Sequence, residues 1–164
     1  MTTENLRSVT LLFLVKRSGG TISEICLAMK KRGFGVGRLN GVGGKLEPGE
    51  TIEAAAKREA LEEIGVAVGN LDKVAELSFY FSHNPSWDQK VHVYLCEEWK
   101  GEPTESEEMN PAWHALHAIP FDAMWPDDKF WLPSVLEGKR VVGSFTFGEN
   151  DIILKQNVKI VPGF

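Results

Sequence analysis

Three glutamates, Glu59, Glu62 and Glu63, fall within five residues after Arg58, downstream of a glycine pair, Gly43 and Gly44, and a lone acid, Glu50. On a helix, at about 100° per residue, the three carboxylates share an arc of roughly 100°. Like charges crowded in this way cost roughly 0.2–0.5 kcal/mol per pair unless a cation neutralises them. Hard oxygen ligands of this kind suit Mg²⁺ or Mn²⁺, which bind a few carboxylates, keep waters and take further oxygens from substrate phosphates. Gly43 and Gly44 let the backbone come close to an anion or its metal with no side chain in the way. Glu50 serves either as an outer ligand or to hold the loop, and Arg58 is expected to form a structural ion pair that fixes the carboxylates. A solvated acidic helix face is the ordinary alternative for three glutamates, so the surrounding spacing has to decide.

The element carrying the cluster has clear ends. Thr51 is a good N-cap, Glu53 lies near the positive end of the dipole, and Gly65 stands where a left-handed C′ residue closes a helix. Ala54, Ala60, Leu61 and Ile64 are expected on the packing side. Apolar or alternating runs at Thr10–Val15, Ile25–Met29, Val74–Phe81, Val91–Cys96 and Val141–Phe147 predict strands. A second helix is expected around Asp128–Gly138, with Pro133 forcing a kink, a short 3₁₀ start or a later beginning. Ser18–Ser23 suggests a hairpin turn and Ser82–Gln89 a flexible loop. Mixed strands with two main helices fit an α/β fold of the α/β/α sandwich type, with a mixed β-sheet, in a single domain spanning 1–164.

The stretch from Gly44 to Val66 resembles the Nudix box, G-x5-E-x7-R-E-U-x-E-E-x-G-U with U aliphatic, through Gly44, Glu50, Arg58, Glu59, Glu62, Glu63, Gly65 and Val66. Ala60 is smaller than the usual aliphatic at the first U and is expected to loosen packing slightly. The resemblance implies the Nudix fold and Mg²⁺, with Mn²⁺ as a substitute, on the Gly43 carbonyl, Glu59 and Glu63, with Glu62 close by. It also implies attack of water on a phosphorus of a nucleoside diphosphate linked to another group, with Glu63 as first and Glu62 as second choice of base. Glu108 matches a position that in the family reaches the metal site.

Specificity must come from outside the box. Met29–Gly41, Glu105–Trp113 and Phe121–Trp131, taken with the box, resemble the branch of the Nudix family that hydrolyses oxidised purine nucleoside triphosphates such as 8-oxo-dGTP and 2-oxo-dATP. The likeness is broken by a longer hairpin at Arg17–Glu24 and a divergent loop at Ser82–Gln89. The residues carry their own case for a planar base. Trp125 and Phe34 supply aromatic faces, Phe79 an apolar floor, and Asn40 a donor and an acceptor. If Asp127 and Asp128 both face a pocket walled by Trp125, repulsion and desolvation keep one protonated, able to donate where a carboxylate only accepts. The plainer reading of that pair is N-capping of the second helix after Pro126. By resemblance, substrate contact extends to Thr10, Lys30, Asn40, Gly41, Val42, Gly43, Gly44, Lys45, Trp125, Pro126, Asp127 and Asp128. Three functions follow: a diphosphatase of oxidised purine triphosphates giving the monophosphate and pyrophosphate; the same chemistry on methylated purine triphosphates, dinucleoside polyphosphates or ADP-ribose; or a noncatalytic nucleotide-binding module.

At 164 residues and 43% hydrophobic content the chain can bury a substantial core. A net charge of −5 argues against nonspecific nucleic-acid binding. The first ten residues lack the basic stretch and apolar run of a signal peptide, and no apolar run approaches a membrane span. A cytoplasmic monomer acting on small nucleotides is therefore expected, with mitochondrial or nuclear pools also compatible. Cys26 and Cys96 lie in apolar strand-like runs and read as reduced core thiols. The four histidines have no spacing suited to a metal or acid–base set, and His92 is expected to be satisfied structurally.

Overall fold

The computed structural model describes residues 6–164, so Met1–Asn5 lie outside the described residues. Strand β1 (Arg7–Ser18) sets the layering. Its odd-numbered Val9, Phe13 and Val15 enter one core and its even-numbered Leu12 and Leu14 enter another. A strand buried on both faces loses the apolar–polar alternation, which is why this segment reads as one apolar run. Helix α1 (Ile52–Ile64) covers one face through Ala56, Ala60 and Ile64, and helix α2 (Asp128–Leu136) covers the other through Trp131, Leu132 and Val135.

The remaining strands are β2 (Thr21–Lys30), β3 (Leu39–Asn40), β4 (Ala67–Val68), β5 (Asp72–Phe81), β6 (Gln89–Cys96), β7 (Trp99–Lys100), β8 (Met109–Ala115), β9 (Arg140–Phe147) and β10 (Ile153–Val161). The main sheet runs β10-β9-β5-β6-β1-β2-β3, with β8 also paired to β2, while β4 and β7 form a separate pair. It is mixed: β1 runs parallel to β6 and β5 to β9, and the other pairs are antiparallel. This is the expected α/β/α sandwich. Among the described residues no helix is long and apolar enough to cross a membrane.

One irregularity of the sheet makes the site. β1 and β2 pair only from Val15↔Ile25 to Ser18↔Thr21, then part. The glycine-rich segment fills the fork. The Leu12 N–H donates to the Val42 carbonyl at 2.7 Å, Val42 N–H returns to Leu12 at 2.9 Å, and Thr10 N–H reaches the Gly44 carbonyl at 2.9 Å. The loop is thus tied to β1 as a strand would be, while keeping backbone free to face the cavity.

Helix α1 begins at Thr51, whose Oγ1 accepts from Ala54 N–H at 3.1 Å, and ends at Gly65 with φ 73° and its N–H on the Leu61 carbonyl. Ala54 and Leu61, expected on the packing side, are exposed, Leu61 by 57%. The helix approaches β1 through small Ala56 and Ala60, which turns the buried arc towards Glu63 and away from Leu61. Glu63 is therefore buried among the packing residues. Helix α2 absorbs Pro133 by being short and starting tightly: Asp128 N–H bonds to Trp125 O and Phe130 N–H to Asp127 O, both three-residue steps.

Strands β8 and β10 were not foreshadowed by alternation, since β8 carries Pro111 and β10 is mostly exposed. The β1–β2 turn needs only Gly19 and Gly20. The Ser82–Gln89 loop is built around a 3₁₀ turn at Pro85–Trp87, closed by the buried Asp88, whose Oδ1 accepts from Phe81 N–H at 2.7 Å. Cys26 and Cys96 are free and buried. His92 is held between Ser8 Oγ at 3.2 Å and Lys73 Nζ at 3.1 Å.

Leu132, fully buried under the sheet, and Leu61, exposed on α1, separate core from surface. Leu132→Ala is expected to lower stability by about 2–5 kcal/mol and Leu61→Ala by less than about 0.5 kcal/mol, read from urea midpoints.

Candidate active site

The acidic end is organised by Arg58. Its Nε and Nη2 grip the two oxygens of Glu50 at 2.7 and 3.0 Å, its Nη1 reaches Glu59 at 3.0 Å and Glu62 at 3.2 Å, and its Nη2 donates to the Lys45 carbonyl at 3.1 Å. A forked guanidinium on a carboxylate fixes direction as well as distance. Glu50 also accepts from Glu47 N–H at 2.9 Å, so of the two roles open to it the structure shows the loop-holding one.

Glu63 is only 4% exposed, and its Oε1 accepts the Gly43 N–H at 3.0 Å. Burial pushes its carboxyl up to about 8, with adjacent Glu59 adding to the rise. The glycines are there for lack of room. A Cβ on Gly43 would lie 1.9 Å from the Thr10 carbonyl oxygen, and one on Gly44 would lie 2.8 Å from Glu59 Oε1.

The expected ligand set Gly43, Glu59, Glu62, Glu63 and Glu108 is only partly brought together. Glu59, Glu63 and the Gly43 backbone are adjacent. Glu62 is turned outward on Arg58 with its side chain 56% exposed. Glu108 is held instead by Arg32 at 2.7 Å and Lys30 at 3.4 Å. Among the described residues no three acidic, histidine or cysteine side chains form a ready-made metal cage. The two acids nonetheless fit a divalent cation, because Glu63, buried beside Glu59, completes a hard-oxygen pair and Arg58 reaches only Glu59.

A cavity of about 600 Å³ runs from this end to an aromatic one. Thr10, Lys30, Phe34, Asn40, Gly41, Gly43, Gly44, Lys45, Glu63, Phe79, Trp125, Asp127 and Asp128 all line it. Val42 does not: its side chain turns into the core beneath α1, because alternate residues of an extended loop face opposite ways. Pro126, Arg58, Glu59, Glu62 and Glu108 are also absent from the lining.

At the aromatic end Phe34 lies 5.1 Å from Trp125, and Phe79 packs on Phe145 and Phe147 at 5.8 and 5.7 Å. Asn40 Oδ1 accepts from Gly41 N–H at 2.8 Å, which leaves its amide NH₂ free for a ligand. Asp127 and Asp128 are 3% and 2% exposed. Asp127 stands at the N-cap position of α2, as the capping reading places it, but its side chain makes no cap bond to the helix. Its Oδ2 accepts the Trp131 indole N–H at 2.8 Å, and Asp128 Oδ2 has no partner. Burial raises both carboxyls, and the neighbouring Asp127 charge raises Asp128 further, so the pair favours sharing a proton over ionising fully.

Sequence reasoning missed Arg38, Phe81, Trp87 and Phe147, which also line the cavity. Arg38 shares its side of the chain with Asn40 two residues on and was within reach of that argument. Trp87 had no signal, because its loop has no period.

One cleft joins the Gly43–Gly44 loop to the buried Glu63, and the chain belongs to the Nudix family of hydrolases: the NUDIX domain matches residues 5–135. Nudix hydrolases generally use divalent cations. Over all 164 residues, the full length of both chains, it is 44% identical to the oxidized purine nucleoside triphosphate hydrolase of Mus musculus. It is 45% identical to the protein of that name from Danio rerio over 135 residues, 82% of this chain and 86% of that one. Among solved structures it resembles a mutator MutT protein of Bacillus halodurans, with TM-score 0.80, 25% identity and coverage of 94% and 98%.

The acid pair has a consequence for stability. Folded Asp127 and Asp128 keep protons at a pH where unfolded carboxyls, near pH 4, have lost theirs, so stability falls as pH rises from about 4 through the raised folded values. Asp128→Asn, which cannot ionise, is expected to flatten that decline, measured as the change in urea midpoint between about pH 5 and about pH 7.

Proposed function

We propose that the chain, acting as one catalytic domain and as a monomer, hydrolyses oxidised purine nucleoside triphosphates such as 8-oxo-dGTP and 2-oxo-dATP to the monophosphate and pyrophosphate. It would thereby clear damaged nucleotides from the cytoplasmic pool. The observation that carries the reading is the junction, in one cavity, of the buried Asp127–Asp128 pair behind Trp125 with the Gly43–Gly44 loop and Glu63. Names borne by the Mus musculus and Danio rerio relatives support it.

An ordinary guanine or adenine and its oxidised form differ in which edge atoms donate and accept. A carboxyl that keeps its proton donates to a base oxygen, and its ionised neighbour accepts from a base N–H. Trp125, Phe34 and Phe79 hold the ring by its faces, and Asn40 reads a further edge. At the other end Lys30 and Lys45 offset phosphate charge. Mg²⁺, with Mn²⁺ as substitute, would be held by Glu59, Glu63 and the Gly43 carbonyl, joined by Glu62 on release from Arg58. When bound, that ion supplies positive charge where the phosphoryl oxygens gain negative charge. Glu63 takes the proton of the attacking water, with Glu62 the second choice. Arg58 keeps Glu59 and the loop aligned and does not touch substrate.

Turnover of 8-oxo-dGTP, 2-oxo-dATP, O6-methyl-dGTP, dGTP and ADP-ribose, with products identified, tests the reading. The two oxidised nucleotides are expected to lead in kcat/KM, and equal use of dGTP would refute it. Glu63→Gln is expected to lower kcat by about 10²–10⁴-fold while nucleotide affinity changes little. Chelation should abolish activity, with Mg²⁺ or Mn²⁺ restoring it; turnover that persists in chelator would remove the cation from the reaction.

A further inference from the structure

Arg38 takes no part in the carboxylate chemistry, yet three segments of the chain converge on it. Its guanidinium carbon sits 4.1 Å from the centre of the Trp125 ring, and its Nη1 pairs with Asp151 Oδ2 at 2.8 Å. Both side chains are mostly buried, at 28% and 26% exposure, so solvent and salt screen the pair less than a surface one. The Arg38 backbone is fixed as well. Its carbonyl accepts from Lys30 N–H at 2.9 Å and its N–H donates to Gly35 at 3.1 Å. Gly35 itself lies against the ring, since a Cβ there would be 3.3 Å from Trp125 Nε1.

Asp151 reaches this position through unusual backbone. Asn150 and Asp151 are consecutive residues with φ of 60° and 58°, the only non-glycine residues with positive φ among those described. Asn and Asp tolerate the left-handed region better than other side chains. Two in succession are still an outlier, which a fold retains where surrounding contacts hold it, and such outliers cluster at functional sites. The contact here is the ion pair with Arg38.

We infer that Arg38, latched by Asp151, is a positioning residue for base recognition: it clamps Trp125, so that the ring and the adjoining Asp127–Asp128 pair meet the base in one fixed arrangement. This rests on the proposed reading of the cavity as a purine site. Trp125 is tied to the acid pair through its backbone, since the Asp128 N–H donates to the Trp125 carbonyl at 3.1 Å. The positive charge of Arg38 also draws both carboxyls downward against the effect of burial, as expected of a group close to both. The brace lies at the base end, away from Glu59 and Glu63, so it acts on KM rather than kcat.

Asp151→Gly removes the carboxylate and relieves the left-handed backbone at the same time. KM for 8-oxo-dGTP is expected to rise about tenfold, the scale of one partly desolvated cation–π contact. The same variant should keep kcat within about twofold of the parent chain. Its Tm should stay within about 3 °C, because strain relief offsets the added freedom of the unfolded chain. Arg38→Lys keeps the charge but loses the planar fork, and is expected to raise KM similarly. Unchanged KM in both variants overturns the inference, as does a joint fall of kcat and Tm in Asp151→Gly, which would mark a purely structural contact. The parent chain distinguishes the two levels of failure. If it does not prefer 8-oxo-dGTP over dGTP, the proposed function falls; if it does and both variants keep the parent's KM, only the clamp falls.

Discussion

The carbonyl of Thr10 passes so close to Gly43 that a methyl group there would lie 1.9 Å from its oxygen. That contact exists because β1 and β2 part after Val15 and Ile25 and the chain returns through the gap, bonded to β1 at Leu12 and Thr10. A sheet normally leaves no backbone N–H or C=O facing a ligand, since its ladders use them all. Here the ladder is interrupted by residues small enough to sit inside it. The same wedge brings Gly43 N–H onto Glu63 and Gly44 against Glu59. Without side-chain-free backbone in the fork, the acids of α1 would have nothing to lean on.

Burying acids is unfavourable, and the two ends of the cavity handle it differently. At the helical end Arg58 offsets the charge of Glu50, Glu59 and Glu62 but does not reach Glu63, which is left raised and dependent on what arrives. At the aromatic end no arginine or lysine bonds to Asp127 or Asp128; Trp131 donates a single neutral N–H, and the pair copes by keeping a proton. Arg38 stands near enough to moderate that outcome without forming an ion pair with either acid. Both ends use desolvation. The difference in neighbours leaves one end with an acid open to positive charge and the other with a shielded acid pair walled by aromatic rings.

Much of this was legible in the sequence, for reasons that differ by residue. The spacing from Gly44 to Val66 specifies a capped helix with its acids at fixed angles, and local rules sufficed for Thr51, Gly65 and the Arg58 network. The strands of the central sheet were visible because burial demands apolar runs. Which arc of α1 would be buried was not legible, because it depends on how closely Ala56 and Ala60 let the helix approach β1, and that placed Leu61 outside and Glu63 inside. Val42 was assigned to the cavity with its neighbours, but alternation sends its side chain to the opposite core. Strand β10 escaped because an edge strand is held by its backbone ladder to β9 and needs little apolar pattern. Arg38, Asp151 and Trp125 come from three distant segments, and nothing local in any of them announces the other two.

Glu62 and Glu108 show how far the charge balance at the site is from its working form. Each is neutralised by a basic partner in the chain, Glu62 by Arg58 and Glu108 by Arg32 and Lys30, so neither adds to the repulsion around Glu63. A cation entering beside Glu59 and Glu63 competes with Arg58 for carboxylate oxygens, and a polyphosphate entering beside Lys30 competes with Glu108 for its ammonium group. Each arrival loosens the internal pairing that the other would meet. Lys30 links the two ends of this charge network, because its charge acts on Glu63 while its ammonium is paired to Glu108.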